Sequence, residues 1–319
     1  MAEPTILDPE LPSKVLYQFP LPTWIENLAV RSNGELLLTI LTSPELHLLN
    51  PSDPKEAVLI HKFEEVRGLT GIIEVKEDVF YVTGSNFNLA TFSNEAGSHF
   101  VWEVDMTSFS KNSKANIKEI AHLTGAGLLN GIELFSKEEG TILIADSEIG
   151  VVWKVNINDG KVENIIDVDE MKPPPPPELQ MGINGLKVRG GYLYWSNTGF
   201  KLFCRIKIDG EGKATGPVEV LERDIVIDDF VFDKKGNAWL TTHGMNTLAV
   251  VKPGGGVVTA AGNIEKLTVA GGTACQFGRT SSDGDILYFV TTGGMSAPVK
   301  GTEVEGGKVV AINTTKFVH

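Results

Sequence analysis

The sequence predicts an all-β protein, a six-bladed β-propeller whose last blade is completed by a strand from the N-terminus. Three observations lead to this prediction. A unit of two short apolar strands joined by a glycine-containing turn recurs six times along the 319 residues, starting roughly every 45 residues. Asn-Gly, Asp-Gly and Gly-Gly pairs separate the strands, as is typical of hairpins. No stretch carries a helical period over four turns.

Four copies of the unit are clear, and two are weaker. The clear copies start at Glu26, Asn130, Asn184 and Asp228, and the weaker ones start at Gly71 and Thr273. The sixth repeat shows strands near 274–277, 286–291 and 308–313 before the chain ends. The isolated strand 14–19 is therefore predicted to supply the fourth strand of that blade. We expect a single domain over residues 1–319, with residues 1–12 as an N-terminal surface leader.

Composition narrows the possible partners. The formal net charge of -13 argues against nucleic acid or an anionic membrane as a partner, and solubility is its simpler explanation. The sequence shows neither a secretory signal nor a membrane-length apolar run, so we expect a cytoplasmic, monomeric protein that binds small molecules. Cys204 and Cys275 lie in apolar, strand-like runs outside any metal-binding spacing. They could pair, but we expect two buried free thiols.

One polar position recurs at the start of the first strand of the clear repeats. It holds two carboxylates and two carboxamides, from Glu26, Asn130, Asn184 and Asp228. In a propeller these positions ring one central mouth, and four oxygen donors there would suit a hard cation such as calcium. The simpler interpretation is that Asn-Gly and Asp form turns before the strands. The residues alone leave both interpretations open.

The ends of the returning strands bring a second group of side chains to the predicted mouth. His243 could act there as a general acid or base, although a hydrogen-bonded structural role is an equal alternative. We predict Asp228, Glu26 and His243 as catalytic residues. The predicted substrate-binding residues are Asn130, Asn184, Trp195, Asn197, Gln276, Phe277 and Arg279. The aromatic rings and the single cation suggest an apolar organic ligand with one charged group.

These residues resemble the SMP-30, gluconolactonase and luciferin-regenerating-enzyme family of six-bladed propellers over nearly the whole chain. The resemblance implies a catalytic divalent ion, usually Ca2+, held by Glu26, Asn130, Asn184 and Asp228. Two departures weaken the match to the lactonase pocket more than the match to the fold. Glu26-Asn27-Leu28 stands where the family commonly has Glu-Gly-Pro, and Asp229-Phe230 stands where Gly-Met often follows the aspartate.

A second resemblance is to a fungal branch of this fold, and it rests on Trp24 to Gly34, Pro173 to Pro177 and Gly191 to Asn197. That branch includes hetero-Diels-Alderases of tropolone-sesquiterpenoid pathways, which form a quinone methide by dehydration and add it to a terpene alkene. The resemblance implies a tailoring enzyme of secondary metabolism, a pericyclase or dehydratase-cyclase for which a metal is optional. A calcium-dependent lactonase is the alternative, and a non-catalytic binding propeller is a third possibility. The motifs do not separate the first two.

Overall fold

A computed structural model describes residues 5–109 and 114–317 of the chain. Five four-stranded sheets and one five-stranded sheet, one for each sequence repeat, form the blades of a six-bladed β-propeller. The predicted fold class is therefore confirmed. A short 3-10 helix, Asp169–Met171, precedes the fourth blade. No helix among the described residues is long and apolar enough to cross a membrane.

The strands follow the order of the repeats. The N-terminal strands and the first two blades contain β1 (Thr5–Ile6), β2 (Ser13–Gln18), β3 (Ile25–Val30), β4 (Leu36–Ile40), β5 (Glu45–Leu49), β6 (Ala57–Lys62), β7 (Gly68–Lys76), β8 (Val79–Ser85), β9 (Phe87–Asn88), β10 (Ser93–Asn94), β11 (Phe100–Asp105) and β12 (Asn116–His122). Blades three to six contain β13 (Leu129–Ser136), β14 (Thr141–Asp146), β15 (Val151–Asn156), β16 (Val162–Ile166), β17 (Ile183–Arg189), β18 (Tyr192–Asn197), β19 (Leu202–Lys207), β20 (Glu219–Arg223), β21 (Ile227–Phe232), β22 (Ala238–Thr242), β23 (Thr247–Val251), β24 (Val257–Gly262), β25 (Gly272–Phe277), β26 (Ile286–Thr291) and β27 (Lys308–Asn313). Strands β9 and β10 pair with each other as a separate hairpin.

The N-terminal segment contributes to two blades. Strand β2 pairs antiparallel with β27, so it completes the last blade as the sequence predicted. Strand β1 pairs parallel with β24 and adds a fifth strand to blade five. Leu11 is only 3% exposed and belongs to a hydrophobic core cluster. Most of residues 5–12 are nevertheless exposed, so Leu11 anchors a segment that otherwise lies at the surface. The surface leader over residues 1–12 stays a prediction, and residues 1–4 lie outside the described chain.

The described chain groups into two compact units. The first holds residues 5–38, 47–58 and 226–317, and the second holds residues 39–46, 59–109 and 114–225. The first unit has a core cluster that includes Trp239 and Phe289. The second unit has one cluster around Ile144 and another around Trp195. The grouping does not test the prediction of a single domain, which stays a prediction. Both cysteines are free and buried, as expected.

The innermost strands carry a β-bulge at the recurring polar position. The ladder shifts register between Leu129 and Ile132 in β13, between Ile183 and Leu186 in β17, and between Ile227 and Phe230 in β21. A bulge places two residues opposite one and re-aims their side chains. The skipped pairs are Asn130-Gly131, Asn184-Gly185 and Asp228-Asp229. These residues therefore lie within strands, and the turn-former interpretation is wrong.

Hydroxyl groups and a glycine stabilise these bulges. The amide N–H of Gly185 donates to Ser196 Oγ at 2.9 Å, and that of Asp229 donates to Thr241 Oγ1 at 3.1 Å. In β17 and β21, a buried N–H at the bulge is thus paired with a hydroxyl group. A Cβ on Gly131 would lie 2.5 Å from the carbonyl oxygen of Asn184. Only glycine therefore allows the two neighbouring inner strands to approach this closely.

Candidate functional site

The first unit brings the three predicted catalytic residues into one cluster. Glu26 on β3 and Asp228 on β21 are each 7% exposed, and each is close enough for its charge to act on the other. His243 follows β22, and its Nδ1 lies 3.0 Å from Asp228 Oδ2. Because an ionised carboxylate only accepts hydrogen bonds, Nδ1 donates to Asp228, and Nε2 is then the accepting nitrogen of the neutral imidazole. Their predicted catalytic roles stay predictions.

The sequence analysis missed a fourth member of the cluster, Ser296. Its hydroxyl is hydrogen-bonded to His243 Nε2, although 53 positions separate the two residues in the chain. Ser296 lies in the loop 292–307 between β26 and β27, which carries no repeat pattern. Gly293 and Gly294 turn the start of this loop with φ angles of 70° and 81°, a region that favours glycine. This glycine pair is the one local signal that could have pointed to a sharp turn before Ser296.

Trp24 holds two members of the cluster in place. Its indole Nε1 donates to Glu26 Oε2 at 2.6 Å. Its ring also packs on the imidazole of His243, with centroids 5.0 Å apart and planes tilted by 31°. Trp24 is only 5% exposed. It therefore fixes the orientation of Glu26 and of His243 from the buried side.

Three buried acidic side chains lie close together in the cluster. Burial raises the pKa of Glu26 well above its usual value, and the charges of Asp228 and Asp229 raise it further, while the hydrogen bond from Trp24 acts in the opposite direction. Asp229 accepts a hydrogen bond from Asn27 Nδ2 at 3.2 Å. The neighbouring carboxylates thus oppose the ionisation of Glu26.

The donors fit calcium in kind. Glu26 and Asp228 offer carboxylate oxygens, and a divalent cation would relieve their mutual repulsion. Each already accepts a hydrogen bond at one oxygen, from Trp24 and His243 respectively. Within residues 5–109 and 114–317, no three His, Cys, Asp or Glu side chains form a group that could hold a metal ion. An ion bound here would therefore need amide, backbone or water oxygens as further ligands.

The two predicted asparagines belong to the second unit. Asn130 is 5% exposed and Asn184 is 2% exposed, and they lie on the inner strands of neighbouring blades. Asn184 Nδ2 donates to Thr198 Oγ1 at 3.0 Å and lies 3.5 Å from Met181 Sδ. Their predicted contacts with a metal or a substrate stay predictions.

Trp195 and Asn197 have structural positions instead of the predicted place on a pocket wall. Both side chains are fully buried, at 0% exposure. Trp195 packs in a core cluster and donates from Nε1 to the carbonyl oxygen of Glu170 at 3.2 Å. Asn197 Nδ2 donates to the carbonyl oxygens of Glu170 and Lys172, at 3.0 and 2.8 Å. They therefore hold the segment that leads into the proline run, and neither presents surface to a ligand.

Gln276, Phe277 and Arg279 lie at the hairpin end of β25, away from the acidic cluster. Phe277 and Arg279 line a separate cleft of about 680 Å3. Arg279 Nη1 donates to the carbonyl oxygen of Val30 at 2.8 Å. Val30 ends β3, four residues after Glu26, which corresponds to about 13 Å of strand. The structure thus separates these residues from the mouth at which the sequence placed them.

Comparison with known proteins shows the family. No protein-family model matches the chain. A protein from Phoma sp. is 30% identical over 305 residues, which cover 87% of this chain and 86% of that protein. A second, from Sarocladium schorii, is 30% identical over 345 residues, which cover 96% of this chain and 84% of that protein. Both carry the provisional name hetero-Diels-Alderase. The chain belongs to this family.

Solved structures share the fold of this hetero-Diels-Alderase family member. The calcium-binding protein regucalcin of Agrobacterium tumefaciens is 15% identical, with a TM-score of 0.67 over 97% of this chain and 95% of its own. A luciferin-regenerating enzyme is 12% identical, with a TM-score of 0.68 over 96% of each chain. Virginiamycin B lyase of Staphylococcus aureus is 11% identical, with a TM-score of 0.60 over 95% of this chain and 99% of its own. At these identities the likeness concerns the fold alone.

Proposed function

We propose that this protein is a fungal tailoring enzyme of secondary metabolism that catalyses a hetero-Diels-Alder cycloaddition. In this reaction it dehydrates an ortho-hydroxybenzyl type of alcohol to a quinone methide and joins this heterodiene to a terpene alkene. Membership of the hetero-Diels-Alderase family supports the reaction class. The observation that carries the proposal is the Asp228–His243 pair, which leaves Nε2 as an accepting nitrogen. We also propose a monomeric, cytoplasmic protein that acts on small organic molecules.

Dehydration requires one proton to move between two oxygens of the substrate. The phenolic O–H must lose its proton, and the benzylic C–O bond must break as the hydroxyl leaves. His243 Nε2 takes the phenolic proton, while Asp228 stabilises the resulting imidazolium through the Nδ1–H bond. The imidazolium then returns the proton to the departing hydroxyl, so that one water is released and the protein is unchanged. Glu26, beside Asp228, is the second candidate for protonating the hydroxyl.

The cycloaddition itself moves no proton. The new C–C and C–O bonds form as the heterodiene and the alkene come within attack distance, so the protein contributes by holding both partners and excluding competing water. Hydrogen bonding to the quinone methide carbonyl lowers the barrier further because charge develops on that oxygen. The His243 imidazolium or the hydroxyl of Ser296 can donate this bond.

Incubation of the purified protein with an ortho-hydroxybenzyl alcohol and a cyclic sesquiterpene alkene tests the proposal. Chiral liquid chromatography with mass spectrometry measures the rate and the enantiomeric excess of the adduct. Asp228→Asn and His243→Gln should lower the rate about 100-fold or more, the usual contribution of a general acid or base. His122→Gln, which changes an exposed histidine on β12, serves as the matched control and should keep the wild-type rate.

Asp228→Ala should likewise lose activity while keeping the wild-type circular dichroism spectrum. A racemic adduct formed at the uncatalysed rate, or full activity in Asp228→Asn, would contradict the proposal.

A calcium-dependent lactonase is the second candidate, and the adjacent carboxylates of Glu26 and Asp228 favour it. A calcium ion bound there would supply Lewis acidity toward a lactone carbonyl. Metal analysis of the purified protein, with activities measured before and after chelation, separates the two candidates. Lactone hydrolysis that is lost on chelation and restored by calcium would support the lactonase. Adduct formation that is indifferent to chelation would support the cycloaddition.

A further inference from the structure

Ser296, His243 and Asp228 are connected in the order of a nucleophilic hydroxyl, its base and the carboxylate that orients the base. Asp228 Oδ2 accepts from His243 Nδ1 at 3.0 Å, and the Ser296 hydroxyl is hydrogen-bonded to Nε2. This connectivity activates a serine, because the imidazole can take the hydroxyl proton as Oγ attacks an electrophile. The proton-transfer roles proposed for cycloaddition require only the histidine and the carboxylate. In that reaction Ser296 can donate a hydrogen bond to the quinone methide carbonyl, but this role does not require its bond to His243 Nε2.

The three residues become more exposed from the carboxylate to the serine, as a nucleophilic serine requires. Asp228 is 7% exposed, His243 is mostly buried, and Ser296 is exposed. The reacting oxygen is thus open to solutes, while the charge that orients the imidazole is shielded from water. Trp24 packs on the imidazole ring and limits its rotation.

The loop that carries Ser296 is held by backbone contacts on both sides of its glycine turn. The N–H of Gly293 donates to the carbonyl oxygen of Ala270 at 3.1 Å, and the N–H of Glu305 donates to the carbonyl oxygen of Gly293 at 2.9 Å. A Cβ on Gly293 would lie 2.0 Å from the carbonyl oxygen of Glu305, so only glycine fits this crossing. The start of the loop, three residues before Ser296, is therefore fixed on the sheet.

We propose that Ser296 is a nucleophile and that this site has an acyl-transfer activity toward small esters, separate from the cycloaddition. Oγ forms a bond to the acyl carbon as its proton passes to His243 Nε2. The imidazolium gives that proton to the alkoxide, which leaves as an alcohol. Water, deprotonated by His243, then cleaves the acyl-serine bond, which releases the carboxylic acid and restores Ser296.

The neighbouring residues indicate which esters fit. Glu26, Asp228 and Asp229 concentrate acidic groups behind the imidazole, so a carboxylate-bearing ester would be repelled. The loop residues next to Ser296 are Met295 and Ala297, which are apolar and carry no charge. The expected substrates are neutral esters with a short acyl chain. The inference stands on these contacts and does not depend on the proposed cycloaddition.

A fluorophosphonate probe tests for the nucleophile directly, because an activated serine displaces fluoride and keeps the phosphonyl group. Peptide mass spectrometry should locate the added mass on Ser296 of the full-length native protein. Labelling there should be at least about 100-fold faster than at Ser281, an exposed serine in the loop between β25 and β26. His243→Gln and unfolding in guanidinium should each reduce the Ser296 rate to that of Ser281.

Turnover of p-nitrophenyl acetate provides the second readout. Ser296→Ala should remove the folded-state hydrolysis, while Ser281→Ala should leave it unchanged. The proposal is overturned if Ser296 labels no faster in the native than in the unfolded protein, or if Ser296→Ala retains full ester hydrolysis. Loss of cycloaddition with retained Ser296 labelling would overturn the proposed function alone, so the two failures are distinguishable.

Discussion

Two buried carboxylates in this propeller each accept a hydrogen bond from a tryptophan indole, but their surroundings are opposite. In the second unit, Asp146 accepts from Trp153 Nε1 at 3.0 Å and also from four backbone N–H groups. These belong to Gly127, Leu128, Glu148 and Ile149, at 2.9 to 3.3 Å. In the first unit, Glu26 accepts from Trp24 Nε1, its one side-chain donor within the described chain, and faces the charge of Asp228.

The difference separates a carboxylate whose charge is satisfied from one whose charge is opposed. Five donors satisfy the Asp146 carboxylate, so its charge stabilises the loop before β13 and the turn between β14 and β15. Glu26 is equally secluded from water, yet its charge is opposed by a neighbouring carboxylate. An under-satisfied buried charge is relieved by a proton, a cation or a polar ligand. Burial alone therefore does not distinguish Glu26 from Asp146, whereas the shortage of donors does, and it is consistent with the predicted role of Glu26.

The largest expected effect is the contrast between Asp146→Asn and Glu26→Gln. An asparagine at 146 would turn an amide N–H toward donors that now bond to a carboxylate oxygen. We expect a loss of more than about 3 kcal/mol in the free energy of unfolding, since several hydrogen bonds to a charged group are lost together. Glu26→Gln removes an opposed charge and should change the free energy by less than about 1 kcal/mol. Guanidinium unfolding followed by circular dichroism measures both.

Equal destabilisation by the two substitutions would contradict the contrast drawn between Asp146 and Glu26. It would mean that the fold depends on the Glu26 charge as much as on the Asp146 charge. A substitution of Glu26 on β3 would then change the stability of the fold together with the chemistry of the site.

Much of the fold was predictable because the same unit of two strands and a turn recurs along the chain. The bulge recurs at the same step of the inner strands, so counting back from the apolar residues placed Asn130, Asn184 and Asp228 in one register. Closure by the strand near residue 14 followed from counting strands per blade. Repetition makes such features visible in a single sequence, because each copy confirms the others.

The rest of the site depends on contacts that no repeat encodes. Ser296 meets His243 through a loop that carries no repeat pattern, so only the tertiary structure reveals the pair. Trp195 looked like a pocket wall because blade strands are buried on both faces, which removes the alternation that would separate core from mouth. Phe277 and Arg279 were assigned to the wrong end of β25, since a strand's composition does not indicate which end faces a ligand.

A smaller effect should appear when the indole donors themselves are removed. Trp24→Phe deletes the N–H that bonds to Glu26 and should cost about 2 kcal/mol, because it leaves a buried carboxylate without that partner. Trp153→Phe should cost less than about 1 kcal/mol for its hydrogen bond, since Asp146 keeps four backbone donors. A double-mutant cycle with Glu26→Gln isolates the charge. The cost of Trp24→Phe should fall by more than half when residue 26 is neutral, and an unchanged cost would show that the indole acts through packing alone.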